Sequence, residues 1–167
     1  STDTNYYEWS EQVPFYNESS NYERLVWYFG DGDSLAGVED PVHQYFVIGD
    51  VEPCLITYNS PANCADTFCI DLEIWFEAAL GVPNAFSPNG DGTNDVHYVE
   101  GKGITFMDIK IFNRWGQMVF RSTDQKIGWD GRFNGRDQEM EVYVYTINVE
   151  FVDGTTMNRT GNITLLR

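Results

Sequence analysis

Residues 142–151 read Val-Tyr-Val-Tyr-Thr-Ile-Asn-Val-Glu-Phe, and this stretch decides the fold class. From Tyr143 onward every second side chain is apolar, and side chains two residues apart lie on the same face of a β-strand. Asp153-Gly154, a sequence typical of hairpin turns, follows the stretch. Residues 162–167 supply the returning strand. The pattern predicts a hairpin with one face in a hydrophobic core.

The rest of the chain contains short apolar runs between Gly, Pro, Asn and Asp residues, and helical periodicity is nearly absent. Several short strands at this spacing favour a β-sandwich in each half of the chain. We therefore predict an all-β fold class, with two consecutive immunoglobulin-like β-sandwich domains. The further strands that the runs predict are 26–29, 42–48, 54–58, 67–76, 105–112 and 117–121.

Charge divides the 167 residues into two chemically different halves. Residues 1–79 hold 15 acidic residues and one base, for a net charge of −14, whereas residues 80–167 hold 11 acidic residues and nine bases, for a net charge of −2. This change predicts a domain boundary, with domains 1–79 and 80–167. The acidic half cannot bind nucleic acid by neutralising phosphates, but it suits a solvated surface that holds cations.

The sequence contains no transmembrane segment, since it has no run of about 18 apolar residues. No basic and apolar segment of the signal-peptide type stands at its start, so we expect Ser1 to begin a fragment or a processed chain. Catalytic triads, metal clusters and phosphate-binding loops are absent from the sequence as well. We therefore predict a protein that is not an enzyme and that has no certain cofactor.

Three cysteines, Cys54, Cys64 and Cys69, lie in the acidic half. Their odd number predicts one disulfide and one remaining thiol. Cys54 and Cys69 can face each other across a hairpin, a Cys54–Cys64 pair is the alternative, and three buried thiols are the third interpretation. A zinc site is not expected, because no Cys-x-x-Cys pair occurs and His43 and His97 are far apart in sequence.

Residues 27–32, Trp-Tyr-Phe-Gly-Asp-Gly, and residues 41–45, Pro-Val-His-Gln-Tyr, form a distinctive pair of motifs. Together they resemble the PKD domain, an immunoglobulin-like sandwich found in extracellular arrays, over most of the acidic half. The glycines of the first motif accept a positive φ, and Asp31 can bond neighbouring amides. A cation site at Asp31 and Asp33 is the functional alternative. We interpret His43 as a structural residue of the sandwich.

Four blocks in the second half form the most specific pattern of the chain. The first to fourth blocks are residues 82–95 (VPNAFSPNGDGTND), 111–116 (IFNRWG), 129–131 (WDG) and 161–167 (GNITLLR). This set resembles the gliding motility-associated C-terminal domain of Bacteroidota, the type B sorting signal of the type IX secretion system. One departure is visible, since Glu139 and Glu141 stand where the family has Pro and Gly.

This resemblance implies a location and partners. Domains of this kind direct proteins across the outer membrane through the type IX translocon, and they attach to outer-membrane partners of the PorP/SprF type. The chain is then the C-terminal sorting and anchoring region of a SprB-like gliding adhesin at the cell surface, with a PKD-like domain in front. The alternative is a carbohydrate- or surface-binding β-sandwich module that uses aromatic side chains as stacking platforms.

A loop rich in oxygen side chains lies in the first block, at residues 89–95 (Asn-Gly-Asp-Gly-Thr-Asn-Asp). Calcium, a hard cation, takes about six to eight oxygen ligands, which such a loop can supply. The spacing is not that of an EF-hand, because glycine stands at position four and no terminal glutamate follows. A tight turn built from Asn-Gly and Asp-Gly is the alternative. The predicted calcium ligands are Asn89, Asp91, Thr93 and Asp95.

The hairpin 142–167 is the element that we expect the secretion machinery to recognise. Its last strand can be an edge that a partner extends by main-chain pairing, and its positive charges can complement acidic groups. Trp115 and Trp129 can form an exposed binding surface, but core packing is the favoured interpretation because both stand beside turn glycines. The residues predicted to contact the partner are Arg159, Gly161, Asn162, Ile163, Thr164, Leu165, Leu166 and Arg167.

Overall fold

Strands form all the regular secondary structure of residues 5–59 and 64–167, which are the residues that the computed structural model describes. The predicted all-β fold class is therefore confirmed. The chain divides into two compact units, Ser1–Phe76 and Glu77–Arg167, whereas the predicted boundary lay between residues 79 and 80. Ser1, the predicted start of a fragment or of a processed chain, lies outside the described residues. The described part of the chain contains no helix long and apolar enough to cross a bilayer.

Unit 1 is built from short strands of three to six residues. In chain order they are β1 (Asn5–Glu8), β2 (Gln12–Pro14), β3 (Arg24–Tyr28), β4 (Ser34–Ala36), β5 (Val42–Gln44), β6 (Gly49–Val51), β7 (Cys54–Asn59), β8 (Cys64–Cys69) and β9 (Leu72–Trp75). They form sheets of the orders β1-β9-β6, β4-β3-β7-β8 and β2-β5, in which β1 and β9 run parallel. The sheets enclose one core, as in the predicted sandwich.

Aromatic rings fill the centre of that core. The ring of Phe15 lies 5.4 Å, between centroids, from both Trp27 and Phe29. Burial of apolar surface of this kind contributes roughly 25 cal/mol per Å². It is the main stabilising term of a sandwich whose strands are this short. The other buried core residues are Val13, Leu25, Tyr45, Val51, Leu55, Leu72 and Ile74.

Of the strands predicted for unit 1, one is divided in the structure and one is shortened. The predicted strand 67–76 is β8 followed by β9, because the chain changes sheet at Ile70, whose amide donates to the Pro53 carbonyl at 3.0 Å. The predicted strand 42–48 is limited to β5, and Gly49, with a φ of 105°, opens β6. A continuous apolar run does not show where a chain leaves one sheet for another, so the prediction merged β8 with β9 and extended β5 beyond Gln44.

Cys54 and Cys69 form a disulfide. The two residues are directly opposite each other in the antiparallel pairing of β7 with β8. Cys64 is exposed at the other end of β8, where it pairs with Asn59. Of the two disulfides that the sequence left open, the structure therefore has the one that staples the hairpin at its base.

Unit 2 contains the longest strands of the described residues. In chain order they are β10 (Ala79–Gly81), β11 (Ala85–Phe86), β12 (Glu100–Lys102), β13 (Ile104–Phe112), β14 (Met118–Ser122), β15 (Arg132–Phe133), β16 (Arg136–Asp137), β17 (Val142–Phe151) and β18 (Thr156–Leu165). A five-stranded sheet has the order β11-β18-β17-β13-β14, and the pairs β10-β12 and β15-β16 form two small ribbons.

The hairpin of β17 and β18 is the backbone of unit 2. The two strands pair over nine residue pairs, from Val142 with Thr164 to Glu150 with Thr156. The alternation predicted for β17 is confirmed, because its alternate apolar side chains are at most 3% exposed. β13 pairs with the other side of β17, which makes β17 a central strand. The buried side chains of β17 are Tyr143, Tyr145, Ile147, Val149 and Phe151.

The last strand of the chain begins earlier than predicted. The sequence placed it at residues 162–167, whereas β18 starts at Thr156, directly after a turn in which the Asp153 carboxylate accepts the Thr155 amide at 2.9 Å. Gly154 allows this turn with a φ of 78°. Residues 156–160 are exposed and, apart from Met157, polar. Their sequence therefore gives no strand signal, and only the pairing with β17 makes them a strand.

Candidate recognition surface

The first, third and fourth sequence blocks meet around Trp129. The Trp129 ring is 1% exposed, and its centroid lies 5.3 Å from that of Phe86 and 4.7 Å from that of Tyr143. Its indole Nε1 donates to the Arg132 carbonyl at 2.9 Å, which satisfies the buried donor. Leu165 belongs to the same core, with a fully buried side chain. We call Phe86, Trp129, Tyr143 and Leu165 the junction cluster.

Gly131 shows how closely the blocks approach each other in the junction cluster. Its φ is 77°, and a Cβ at this position would lie 2.9 Å from Leu165 Cδ1 and 3.0 Å from the Pro88 ring. A side chain at residue 131 would therefore separate the third block from the first and the fourth. Tyr143 adds a polar tie, because its hydroxyl donates to the Glu139 carbonyl at 2.9 Å and burial raises the pKa of this hydroxyl to about 12.

Strand β11 pairs in parallel with the end of β18. The amide of Thr164 donates to the Asn84 carbonyl at 2.8 Å, and the amide of Leu166 donates to the Phe86 carbonyl at 3.0 Å. The prediction that β18 is an edge strand is therefore wrong for its last residues. Over residues 156–163 the strand order of the described residues places no strand beside β18 except β17.

The eight residues predicted to contact a partner alternate between two faces. Ile163 and Leu165 are fully buried, so they act through the fold. Gly161 lies beneath the Tyr145 ring, where a Cβ would come within 2.7 Å of ring atoms. The other five side chains remain accessible to a partner: Arg159, Asn162, Thr164, Leu166 and Arg167.

The two arginines of this group have contacts of their own. Arg159 Nη1 donates to the Leu80 carbonyl at 3.4 Å. The other donors of its guanidinium group make no further hydrogen bond with the described residues. Arg167 Nη2 lies 3.5 Å from Asp137 Oδ1, which also accepts a hydrogen bond from Arg132 at 2.9 Å. One carboxylate thus serves two guanidinium groups.

The predicted calcium loop, residues 89–95, follows β11 directly and is held by its own side chains. Asn89 Oδ1 accepts the Asp91 amide at 3.0 Å, and Asp91 Oδ1 accepts the Thr93 amide at 2.7 Å. Asp95 uses both carboxylate oxygens, which accept amides at 2.7 and 2.8 Å. The donors of those two amides are Gly90 and Gly92.

These contacts lower the pKa of Asp95, since the amides of Gly90 and Gly92 stabilise its charged form. The four predicted ligands lie in one loop, but three of them already accept backbone or side-chain hydrogen bonds within it. The turn interpretation accounts for this geometry by itself. Calcium binding at Asn89, Asp91, Thr93 and Asp95 stays a prediction.

Comparison with known proteins now identifies this unit. Residues 80–165 match the family described as the CHU_C Type IX secretion signal domain. The chain belongs to the CHU_C family. We call residues 80–165 the signal domain. Membership in the family makes this domain a sorting signal for type IX secretion, and it implies that the cargo is a secreted protein of the cell surface.

No curated protein matches the chain. Distant likenesses exist among solved structures. The fibronectin(III)-like modules of Clostridium thermocellum CbhA share 9% identity with a TM-score of 0.35, over 97% of this chain and 89% of that one. A second likeness is to SGBP-B of the Bacteroides ovatus mixed-linkage glucan utilization locus, in complex with a mixed-linkage heptasaccharide. It has 9% sequence identity and a TM-score of 0.37, over 98% of this chain and 43% of that one. Dimeric latent PorU of Porphyromonas gingivalis shares 11% sequence identity with a TM-score of 0.31, over 98% of this chain and 19% of that one. The assignment to the CHU_C family rests on the family match alone.

The two tryptophans of the signal domain have opposite environments. Core packing, the favoured interpretation for both, agrees with the environment of Trp129 but is wrong for Trp115, which is 84% exposed. Trp115 lies in the turn between β13 and β14, and Asn113 Oδ1 fixes this turn by accepting the amides of Trp115 and Gln117 at 3.0 Å each. A glycine neighbour indicates a turn in both cases, but only tertiary packing decides which ring is covered.

His97 is a buried residue that the sequence analysis did not single out. It is 3% exposed, its backbone pairs with that of Trp129, and its Nε2 lies 2.8 Å from the Pro83 carbonyl, to which it donates. Burial lowers the pKa of the imidazole, against the opposing effect of the Pro83 hydrogen bond. The neutral ring therefore ties the chain entering β11 to the junction cluster. No local pattern marks it, because both contacts are distant in sequence.

The Phe-Gly-Asp-Gly turn of unit 1 is bonded to His43, in residues 41–45. His43 Nε2 lies 2.7 Å from Asp31 Oδ2, and the imidazole stacks on Phe29 with 4.0 Å between ring centroids. Burial opposes ionisation of Asp31, but hydrogen bonds from His43 and the Asp33 amide outweigh it and lower the pKa of the carboxyl. Donor atoms of Asp31, Asp33 and His43 lie within 4.8 Å of one another, so the cation alternative keeps a plausible geometry. The hydrogen bonds already give His43 the structural role that the sequence suggested.

Proposed function

We propose that this chain is the sorting and anchoring region of a large secreted adhesin of the SprB type. The observation that carries the proposal is the match of residues 80–165 to the CHU_C Type IX secretion signal domain. A partner of the PorP/SprF type in the outer membrane then holds the exported protein at the cell surface and couples it to gliding. The convergence of three sequence blocks in the junction cluster supports a folded domain as the signal, instead of a linear peptide.

The hairpin of β17 and β18 is the part of the signal domain that we propose the machinery reads. The edge of β18 supports this, because residues 156–163 lack a second neighbouring strand among the described residues. Thr164 and Leu166 direct their amides away from β17, and alternation along a strand gives Thr160 and Asn162 the same orientation. Such outward amides and carbonyls can pair with an added strand.

Unit 1 serves, in this proposal, as a PKD-like spacer between the signal domain and the adhesive part of the protein. Its short strands, its disulfide and the bond of His43 with Asp31 support a structural module. Residues 1–79 carry a net charge of −14, which keeps such a spacer solvated and apart from its neighbours.

We further propose that the chain acts by binding and catalyses no reaction. Both histidines have structural partners, His43 in Asp31 and His97 in the Pro83 carbonyl. Imidazole is the commonest general base near neutral pH, and neither ring is paired with a nucleophilic side chain. An assay of the purified chain against esters, peptides and glycosides should show no turnover.

Export of a reporter tests the sorting function. A fluorescent protein that carries a periplasmic export signal is fused in front of the full chain and produced in a bacterium with a type IX system. The intact fusion should reach the medium or the cell surface, and deletion of residues 162–167 should abolish export while unit 1 still folds. Failure of the intact fusion to leave the periplasm would overturn the proposal.

A second variant separates recognition from folding, because the deletion removes the core residues Ile163 and Leu165. Thr160→Pro removes an amide that faces away from β17, and edge positions of this kind tolerate proline. If the edge is read, Thr160→Pro should lose export at an unchanged melting temperature, whereas Thr160→Ala should keep it. Equal export by both variants would show that the machinery reads another surface.

A cleft in unit 1 favours a second candidate function, carbohydrate binding. The cleft encloses about 520 Å³, and the rings of Tyr16 and Phe68, which are 72% and 70% exposed, lie at its rim beside Glu18 and Ser19. Exposed rings next to hydrogen-bonding groups suit the stacking of sugar rings. A glycan array with the intact chain should then show binding that Tyr16→Ala with Phe68→Ala removes, whereas Tyr6→Ala, which alters an equally exposed ring outside the cleft, should not.

A further inference from the structure

The outer face of the five-stranded sheet carries an apolar row at one end. Phe112 of β13 pairs with Val144 of β17 on one side and with Met118 of β14 on the other. Val142 lies two residues from Val144, on the same face. Val142, Val144 and Met118 are 51%, 41% and 44% exposed. We call Phe112, Met118, Val142 and Val144 the apolar row, and its register follows directly from the strand pairing.

Trp115 stands at the same end of the sheet, in the turn that joins β13 to β14. The turn is closed by hydrogen bonds of Asn113, whose amide and carbonyl bond Gln117 and Gly116 at 3.0 and 2.9 Å. Gly116 adopts a φ of 74°. A large ring held on a fixed turn loses little freedom on binding, and such aromatic anchors dominate binding energy at interfaces.

Cations around the apolar row face outward, whereas their acidic partners lie beneath them. The side chains of Lys110 and Arg121 are 35% and 53% exposed, but Asp108, which binds both at 3.0 and 2.9 Å, is 11% exposed. Arg114 is 57% exposed, and its partner Glu141 is 11% exposed. The face thus presents positive charge in a chain with a net charge of −16.

We propose that Trp115 and the apolar row dock on an acidic protein surface of the outer-membrane partner. The inference rests on the proposed function, since the sorting signal must be bound by a protein. Charge complementarity selects the occupant, because the outward cations Lys110, Arg114 and Arg121 attract acidic groups. The occupant is not a lipid bilayer, because the charged network of Lys110, Asp108 and Arg121 lies beside the apolar row and would lose its hydration in hydrocarbon. A protein can place carboxylates opposite these cations.

Export of the same reporter fusion tests the docking surface. Trp115→Ala should lower the exported fraction several-fold without changing the melting temperature, because the ring is exposed. The triple variant Lys110→Gln, Arg121→Gln and Asp108→Asn removes two of the three outward cations together with the acid that binds them, and it should also lower the exported fraction. The matched control is Phe106→Ala, since Phe106 is 52% exposed on the same strand and the same face, at its other end.

Two outcomes of this experiment overturn the inference in different ways. Failure of the unaltered fusion to be exported overturns the proposed function and this inference with it. Normal export by Trp115→Ala, or an equal loss with Phe106→Ala, overturns the docking surface and leaves the proposed function standing.

Photocrosslinking identifies the occupant directly. The variants Trp115→p-benzoylphenylalanine and Phe106→p-benzoylphenylalanine are made in the full fusion and illuminated in intact cells. The inference expects a protein adduct at residue 115, absent at residue 106, that maps to an acidic surface and is lost in the triple variant. A lipid adduct, an adduct with a second copy of this chain, a protein adduct that survives in the triple variant, or no adduct at residue 115 overturns it.

Discussion

Unit 1 and the signal domain are both all-β, yet they are stabilised in different ways. The strands of unit 1 span three to six residues, and a disulfide and a bond of His43 with Asp31 tie them together. The signal domain has three strands of nine or ten residues, β13, β17 and β18, and no cysteine. Unit 1 is thus held by covalent and local ties, whereas the signal domain is held by extended strand pairing.

Buried polar side chains in both cores donate hydrogen bonds to backbone carbonyls. In unit 1 the fully buried Tyr45 donates its hydroxyl to the Phe29 carbonyl at 2.9 Å, and its ring lies edge-on to His43. In the signal domain His97 donates to the Pro83 carbonyl, which lies just before β11, and Trp129 donates to the Arg132 carbonyl. The Tyr45 and His97 bonds join residues 16 and 14 positions apart in sequence, whereas the Trp129 bond spans three positions.

The largest expected effect is that of Trp129→Ala. Removal of this buried ring leaves a cavity in the junction cluster and should lower the free energy of unfolding of the signal domain by about 3–5 kcal/mol. Denaturant unfolding followed by circular dichroism measures it. Trp115→Ala is the control and should change stability little, because its ring is exposed. A similar loss for both variants would contradict the division between a buried and an exposed tryptophan.

Reduction of the Cys54–Cys69 disulfide should affect unit 1 alone. The bond closes a loop with a sequence separation of 15, for which the chain-entropy term is about 3 kcal/mol. Calorimetry with and without a reductant should show a lower melting temperature for unit 1 and no change for the signal domain. Cys64→Ser should keep the oxidised value, and a shift in both transitions would show that the units do not unfold separately.

Gly161→Ala tests the role of a residue that the sequence assigned to partner contact. A Cβ here would overlap the Tyr145 ring, so overpacking should destabilise the signal domain by about 1–3 kcal/mol. Asn162→Ala, at the next position but on the exposed face, is the control and should be nearly neutral. A stable Gly161→Ala variant with impaired export would instead return Gly161 to the partner-contact group.

Acidification should affect the stability of the two units differently, and this effect should be smaller than those of the substitutions above. Burial lowers the pKa of His97 below its ordinary 6.5, so the unfolded chain binds more protons below that pH and the signal domain loses stability as the pH falls from about 6.5. Asp31 of unit 1 has a pKa below its ordinary 3.8, so its contribution is present above that value and is lost as the pH falls further. Melting curves between pH 7 and pH 4 measure this difference, because the signal domain should lose stability in that range and unit 1 should not. Below about pH 3.8 both units should respond, since the pKa of Asp95 in the signal domain is lowered as well.

His97→Gln supplies the control for the pH experiment. Glutamine can donate to the Pro83 carbonyl but does not titrate, so the variant should lose the decline of signal-domain stability below pH 6.5. If the decline persisted in His97→Gln, another group would be responsible for it.

The sequence by itself determined the β class, the buried face of β17 and the family. Alternation with a period of two is a local property, and the apolar residues from Tyr143 to Phe151 can be buried together only on one face of a strand. The hairpin disulfide was among the pairings that the sequence allowed, because a 15-residue separation can place two cysteines opposite each other. The four blocks were visible as residues in order, without their positions in space.

Only the tertiary structure decided which of these residues are buried and which remain accessible. The pairing of Ala85 with Thr164 joins residues far apart in the chain and closes one end of an edge that the sequence predicted to be open. The same kind of distant contact buries Trp129 and His97, leaves Trp115 exposed, and places Asp108 and Glu141 beneath their cations. Burial depends on what other segments cover, and a local pattern contains no information about that coverage.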